Sequence, residues 1–290
     1  MKMNFLREIQ VILEDTSYEE KFWQLEETLI PDGIRLIMTE KLSIEKNEPV
    51  IPSVTPASGI LFITDNAKTA GTLAEKECPV LVFLHEKNGG EDFSGLKYAM
   101  EKPEELDCTY LEKIYRRLVR LPWHILETDR CIIRETIEED VESFFKIYSE
   151  PEITKYMEAL YPEVEQEKQY TREYIDKIYA FYDFGVWTVL EKETGAVIGR
   201  AGFSYREGFA EPELGFVIGA PWQHKGIAFE ICQAILKYGR EQLDFHRVNA
   251  MVNPENKASL RLCRRLGFEE KEMLVLGGQA YLRLCAEVFA

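Results

Sequence analysis

The chain has little of several residue types that mark particular classes of protein. Its 290 residues include six cysteines and four histidines, and the cysteines lack the short spacings of a zinc site or a secreted disulfide framework. No apolar run approaches the roughly 20 residues that span a bilayer, and the opening residues lack the apolar core of a signal peptide. These absences predict a cytoplasmic protein with no membrane segment and no metal.

Basic residues are also in deficit. The sequence has 35 lysines and arginines against 51 aspartates and glutamates, for a net charge of −16, and the excess acid is spread over both halves. Such a surface repels phosphate backbones, which argues against nucleic acid as a partner. It attracts cationic molecules, amines among them, and so biases encounters without identifying a substrate.

The length and the order of the predicted elements indicate two α/β domains, at residues 1–126 and 127–290. In the first domain, residues 4–29 are predicted as one or two helices. The run GILFITDN, the helix after it and the run CPVLVFLH follow the strand–helix–strand pattern of a parallel sheet. We therefore predict a smaller N-terminal Rossmann-like parallel domain, followed by a larger α/β (α+β) domain.

The stretch PWQHKGIA joins an apolar strand to a periodic helix in the second domain. The first N–H groups of a helix have no partner within it, and together with the helix dipole they form an anion site. Gly226 would let a ligand approach the backbone closely, with Gln223, His224 and Lys225 lining the loop. Taken alone, the pattern also fits an ordinary turn between a strand and a helix.

From Thr128 to Ala290 the element order and two motifs resemble the GNAT N-acetyltransferase superfamily. The motifs are Gln-x-x-Gly-x-Ala at Gln223–Ala228, and Asn256-x-x-Ser259 followed by LGF at 266–268. The strand EPELGFVIGAPW is most similar to the branch that includes ribosomal-protein N-terminal acetyltransferases. The resemblance implies a mixed, splayed central sheet, acetyl-CoA as cosubstrate and direct transfer of the acetyl group to a primary amine.

The same resemblance implies roles for individual residues. The loop and helix start would hold the diphosphate of coenzyme A, the preceding strand would offer backbone groups to the pantetheine arm and thioester, and a later helix would line the far side. The cofactor-binding residues so implied are Phe216, Val217, Ile218, Gln223, His224, Lys225, Gly226, Ile227, Ala228, Asn256 and Ser259. The candidates for contact with the acceptor are Tyr156, Tyr182 and Trp187.

Acyl transfer to an amine requires a group that removes the ammonium proton. Glu213 is the first candidate and Glu211 the second, since residues two apart on a strand share a face; the alternative is that both are solvated carboxylates. Cys263 stands where many relatives carry a tyrosine that protonates the departing thiolate. Cys263 is either a core residue or a reactive thiol. Without the tyrosine, the departing thiolate would take its proton from water or through Ser259.

The first domain resembles, over residues 59–121, the later part of a haloacid-dehalogenase-type Rossmann-like domain. The Asp-x-Asp nucleophile motif of that family is missing from residues 1–126. The domain is therefore expected to be non-catalytic, with Asp65 and Lys68 as remnants of a phosphate site.

The expected function is acetyl-CoA-dependent acetylation of a cationic amine, small or peptidic. The alternative is a non-catalytic acyl-CoA-binding sensor, because Cys263 replaces the usual tyrosine. The oligomeric state stays open, and the closing hairpin offers an edge for pairing as a homodimer.

Overall fold

The structure is a computed structural model. It divides into two compact units, Met1–Trp123 and His124–Ala290, so the division falls slightly before the boundary expected at residue 127. Both units combine helices with a β-sheet. The residues that the structure describes are 5–39, 44–45, 48–49, 58–157 and 159–288.

The N-terminal unit is built on a five-stranded, wholly parallel sheet with the order β2-β1-β5-β6-β7. This order reverses direction between β1 and β5, as in doubly wound sheets, and confirms the predicted parallel α/β architecture. The strands are β1 (Glu8–Ile12), β2 (Arg35–Met38), β3 (Ile44–Glu45), β4 (Glu48–Pro49), β5 (Ile60–Thr64), β6 (Val80–Phe83) and β7 (Ala99–Met100). Strands β3 and β4 form a separate antiparallel pair.

The helices of this unit are α1 (Glu20–Leu29), α2 (Ala67–Glu75) and α3 (Cys108–Leu118). The prediction of helix from residue 4 onward is wrong for residues 8–12, which form β1. Because β1 lies inside the sheet, Ile9, Val11 and Ile12 are all buried. β-branched residues favour such a strand, and burial on both faces hides the alternation that marks strands at the surface.

The C-terminal unit contains a mixed eight-stranded sheet with the order β14-β15-β13-β12-β11-β10-β9-β8. All neighbouring strands are antiparallel except β12 and β13, which are parallel. The strands are β8 (His124–Glu127), β9 (Cys131–Arg134), β10 (Val186–Glu191), β11 (Val197–Ser204), β12 (Glu213–Ile218), β13 (Arg247–Val252), β14 (Glu269–Leu276) and β15 (Gln279–Glu287).

Helix α8 packs against β11 and β12, and it buries Ile231, Cys232 and Ile235 in the main core. The helices of this unit are α4 (Val141–Tyr148), α5 (Pro151–Thr154), α6 (Val164–Tyr174), α7 (Ala180–Tyr182), α8 (Ile227–Leu243) and α9 (Lys257–Arg265), with a π-helical turn at Ile175–Tyr179 before α7. Within the described ranges, no helix combines the length and the apolar character needed to cross a membrane.

Candidate active site

Strands β12 and β13 separate soon after they meet, which leaves a gap in the middle of the sheet. Among the described residues their one register pair is Glu213 with Asn249, where Asn249 N donates to the Pro212 carbonyl at 2.8 Å. On its other side β12 pairs with β11 over its full length. The edge of β12 that faces the gap therefore carries backbone groups without a strand partner, as in a splayed sheet.

The register decides which backbone groups face the gap. Alternate residues of an antiparallel pair exchange hydrogen bonds with the same neighbour, and Gly219 N donates to the Ile198 carbonyl at 2.8 Å. The backbone of Val217, two residues earlier, consequently also faces β11, whereas Phe216 and Ile218 face the gap. Of the three strand residues expected to contact the cofactor through their backbones, Val217 is thus turned away.

The turn between β12 and α8 leaves the start of the helix open. Gly226 is the N-cap residue with φ of 78°, His224 has φ of 60°, and no described side chain caps the helix. The N–H groups of residues 227–229 therefore have no intrahelical partner and favour an anion. Gln223 ties the turn to the strand instead, since its Nε2 donates to the Ile218 carbonyl at 2.8 Å.

An arginine from outside the turn holds this loop in place. Arg130 Nη1 donates to the Lys225 carbonyl at 2.8 Å, and its Nε donates to Glu230 Oε2 at 2.7 Å. The positive charge of Arg130 therefore lies beside the helix start. Nothing in the sequence around Arg130 predicted this position. Of the turn residues expected to bind the cofactor, the exposed side chains are His224 and Lys225, and the more buried ones are Ile227 and Ala228.

A cleft lies beside the gap and is lined by Phe216 of β12. Helix α9 and its N-cap present one face to this cleft, through Asn256, Ser259 and Cys263. These positions lie three and four residues apart, as required for one helix face. Asn256 also caps the helix, because its Oδ1 accepts a hydrogen bond from Ser259 N at 3.1 Å. Cys263 is fully buried, and burial raises the pKa of its thiol to about 11, so the thiol is protonated at neutral pH.

The two candidate carboxylates lie in different surroundings. Glu213 lines the cleft and accepts two hydrogen bonds from Arg206, from Nε at 2.5 Å and from Nη2 at 3.1 Å. Glu211 precedes β12, does not line the cleft, and lies 3.5 Å from Asn249 Nδ2. The expectation that they share one face assumed a continuous strand, but β12 begins only at Glu213.

The cleft has a volume of about 910 Å³ and is rich in tyrosine. Tyr156 lines it as expected, whereas Tyr182 lies outside the lining and contacts the lining residue Tyr205, with ring centroids 5.3 Å apart. Trp187 is instead a core residue: it is fully buried and packs edge-on against Phe203. It cannot contact an acceptor from that position, because its strand turns it toward α8 and away from the cleft.

Four charged residues of the lining were not predicted from the sequence: Glu167, Arg200, Arg206 and Glu207. Arg200 had a recognisable signal, since it interrupts the buried strand VIGRAGF and charged residues are seldom buried without a role. Glu167 gave no such signal, because it is one of several acidic residues in the polar helix α6.

The N-terminal unit has its own group of polar residues at the carboxyl edge of its sheet. Asp65 is 1% exposed and accepts hydrogen bonds from Glu14 N at 2.6 Å and Asp15 N at 3.0 Å. His85 Nε2 lies 3.3 Å from Asp65 Oδ2, whereas the Lys68 side chain is exposed. In neither unit do the described residues bring together three or more histidine, cysteine or carboxylate side chains that could hold a metal ion.

Comparison with known proteins identifies the C-terminal unit. Residues 130–269 match the acetyltransferase (GNAT) domain family. The N-acetyltransferase p20 of Bacillus licheniformis, itself uncharacterized, is 31% identical over 157 residues, which cover 51% of this chain and 84% of that protein. The [ribosomal protein uS5]-alanine N-acetyltransferase of Escherichia coli is 42% identical over 106 residues, covering 34% and 53% of the two chains.

A solved structure shows the same fold at low sequence identity. A ribosomal L7/L12 alpha-N-protein acetyltransferase matches 58% of this chain and 95% of its own, with a TM-score of 0.50 and 14% identity. The gap between β12 and β13 and the open start of α8 lie within the region that matches the family. The chain therefore belongs to the GNAT acetyltransferase family.

Proposed function

We propose that the chain transfers the acetyl group of acetyl-CoA directly to a primary amine held in the cleft. The observation that carries this proposal is the gap between β12 and β13, which ends at the uncapped start of α8. The gap offers backbone groups to an extended thioester arm, and the helix start offers N–H groups to a diphosphate. Arg130 and Lys225 add positive charge beside that start.

The backbone of Phe216 supports a role at the reacting carbonyl. Its N–H faces the gap without a strand partner, and such a donor stabilises the negative charge that develops on a carbonyl oxygen during acyl transfer. The amine nitrogen bonds to the acetyl carbon, the bond from that carbon to sulfur breaks, and the ammonium proton passes to a base. Asn256 and Ser259 line the opposite wall.

Glu213 is the proposed base, with Glu211 second. Glu213 is 9% exposed and reaches the cleft at the point where β12 and β13 part. The two hydrogen bonds from Arg206 fix the orientation of its carboxylate. The departing thiolate would take its proton from water or through Ser259, because the Cys263 thiol is too weak an acid to release its proton at neutral pH.

The acceptor is proposed to be a cationic amine, either small or at the N-terminus of a peptide. The net charge of −16 and the tyrosine-rich lining favour a cation. The named substrate of the Escherichia coli relative, a ribosomal-protein alanine, makes a peptide amine a necessary member of any test panel.

The N-terminal unit is proposed to be non-catalytic. The Asp65 carboxylate is occupied by backbone N–H groups, which supports a structural part for it, and the haloacid-dehalogenase resemblance stays a prediction. All six cysteines are free, which supports a cytoplasmic location. Exposed Met273 and Val275 on the edge strand β14 support pairing of two chains through this edge.

The test combines ligand-induced stabilisation with thiol release. The melting temperature is measured with acetyl-CoA, CoA and dephospho-CoA, and CoA release is then followed across small amines, polyamines and alanyl peptides. The proposal expects stabilisation by acetyl-CoA and thiol release with at least one amine. Stabilisation without thiol release would favour the acyl-CoA sensor, and no stabilisation would contradict both functions.

A further inference from the structure

Glu167 of helix α6 is a buried carboxylate that faces the cleft. Glu167 is 2% exposed and lines the cleft. Among the described residues it accepts one hydrogen bond, from Tyr161 N to Oε2 at 3.0 Å, and it forms no ion pair. Burial of a carboxylate without a cation is costly, so such a group is usually stabilised by a partner or serves a ligand.

The cations nearest in sequence are paired elsewhere. On α6, Lys168 Nζ lies 3.4 Å from Glu165 Oε1, and Arg172 Nη1 lies 2.7 Å from Glu138 Oε1. Across the cleft, Arg200 stacks on the ring of Phe144 at 4.7 Å. None of these three cations pairs with Glu167 within the described part of the chain, so its negative charge remains available to the cleft.

Arg200 is directed to a tyrosine rather than to Glu167. Burial raises the pKa of the Tyr148 phenol, and the charge of Glu167 raises this pKa as well. The charge of Arg200 and the hydrogen bond between Arg200 and the phenol lower it. Tyr148 thus lies within electrostatic reach of both groups. Arg200 interacts with the Tyr148 phenol, whereas the one hydrogen bond to Glu167 among the described residues comes from Tyr161 N.

Tyrosine rings surround this end of the cleft. Tyr148, Tyr161 and Tyr170 all line it, and the ring centroids of Tyr161 and Tyr170 are 5.6 Å apart. The faces of aromatic rings attract cations, and the attraction is larger where water is excluded. A buried carboxylate among tyrosine rings is a suitable site for an ammonium group.

We propose that Glu167 binds a positively charged group of the acceptor and thereby selects cationic amines. The inference rests on the proposed acetyl transfer and deepens it. It assigns the recognition of positive charge to α6, apart from Glu213, whose carboxylate is already held by Arg206. An acceptor with two amines would place one at the reacting carbonyl and the other at Glu167.

The test compares Glu167→Gln with Glu165→Gln. Glutamine retains an oxygen that accepts the hydrogen bond from Tyr161 N, so the variant removes charge while keeping the local structure. Glu165 is a matched control, because it lies on the same helix and its side chain is 80% exposed. The probes are 1,4-diaminobutane and alanine amide, one with two ammonium groups and the other with one.

Glu167→Gln is expected to raise the KM for 1,4-diaminobutane by about tenfold or more, as for the loss of a charge-assisted contact. The KM for alanine amide should stay within about twofold, because this probe has no second ammonium group. The KM for acetyl-CoA should stay within about twofold, and Glu165→Gln should behave as the wild type. The melting temperature should not fall, since an unpaired buried charge is removed. An unchanged KM for 1,4-diaminobutane in Glu167→Gln, or an equal rise for both probes, would overturn the inference.

Calorimetry separates this inference from the proposed function. If the wild type does not acetylate 1,4-diaminobutane, acetyl transfer to this amine is contradicted, and the diamine is then titrated into the protein saturated with CoA. Binding to the wild type that is weakened in Glu167→Gln supports the inference without turnover. Equal binding by the two proteins, or no binding by the wild type, contradicts it.

Discussion

Substitution of Gly226 by alanine separates a coenzyme A cradle from an ordinary turn. Gly226 has φ of 78°, and a Cβ added there would meet only Arg130 Nη2, at 3.7 Å, an ordinary contact. The cost to folding is therefore that of a left-handed alanine, about 1–2 kcal/mol. For a unit of this size it lowers the melting temperature by roughly 2–8 °C.

Gly195 supplies the control. It has φ of 72° in the turn between β10 and β11, and a Cβ added there would meet nothing within 4 Å. Gly195→Ala should therefore lose a similar amount of stability through the same backbone strain. Any further effect of Gly226→Ala must come from the ligand side of the loop.

The assay is the KM for acetyl-CoA, with the dissociation constant of CoA as a second measure. A methyl group at the helix start would displace at least one charge-assisted N–H contact to the diphosphate, which corresponds to about tenfold weaker binding or more. Gly195→Ala should leave both constants unchanged. Equal constants in the two variants would refute the reasoning and leave PWQHKGIA as a turn without a ligand.

Three further results follow from the site. Glu213→Gln should lower turnover at neutral pH by about 100-fold or more with little change in the KM for acetyl-CoA; a loss confined to Glu211→Gln would transfer the role to Glu211. Burial raises the pKa of the Cys263 thiol to about 11. Cys263→Ala should therefore leave the pH profile of kcat unchanged below about pH 9. An altered profile in that range would show that the thiol takes part in the reaction. Asp65→Ala should destabilise the N-terminal unit by about 2–4 kcal/mol in denaturant unfolding, because it removes the acceptor of two backbone N–H groups. If the wild type hydrolysed a phosphate ester and Asp65→Ala did not, a purely structural role would be contradicted.

The sequence predicted those parts of the fold whose patterns are local. The parallel strands β5 and β6, the hairpin of β10 and β11 and the long helix α8 all lie where apolar periodicity and turn residues indicated them. Strand β1 was missed because its burial depends on neighbours on both sides, β2 and β5. A short apolar run has no helical or strand period of its own until those neighbours are known.

The site was predictable where it follows from local sequence, and less so where it depends on strand register or on the face of a strand. The open start of α8 follows from Gly226, which ends the turn between β12 and the helix. The orientation of the Val217 backbone depends on the register with β11, which the sequence of β12 alone does not give. Trp187 was taken for a cleft residue because an aromatic side chain near a site in sequence can equally lie on the core face of its strand.

The polar groups at the sheet edge of the N-terminal unit have more hydrogen-bond partners than several groups of the C-terminal unit. At the sheet edge of the N-terminal unit, the Asn88 amide bonds to the carbonyls of Asp65 and Phe83, and Asp65 in turn accepts backbone N–H groups. In the C-terminal unit, the Phe216 backbone, the start of α8 and Glu167 retain binding capacity that the described residues do not use. A carboxylate that is buried without a partner cation costs stability, so the retention of Glu167 in the cleft favours a ligand as the reason for keeping it.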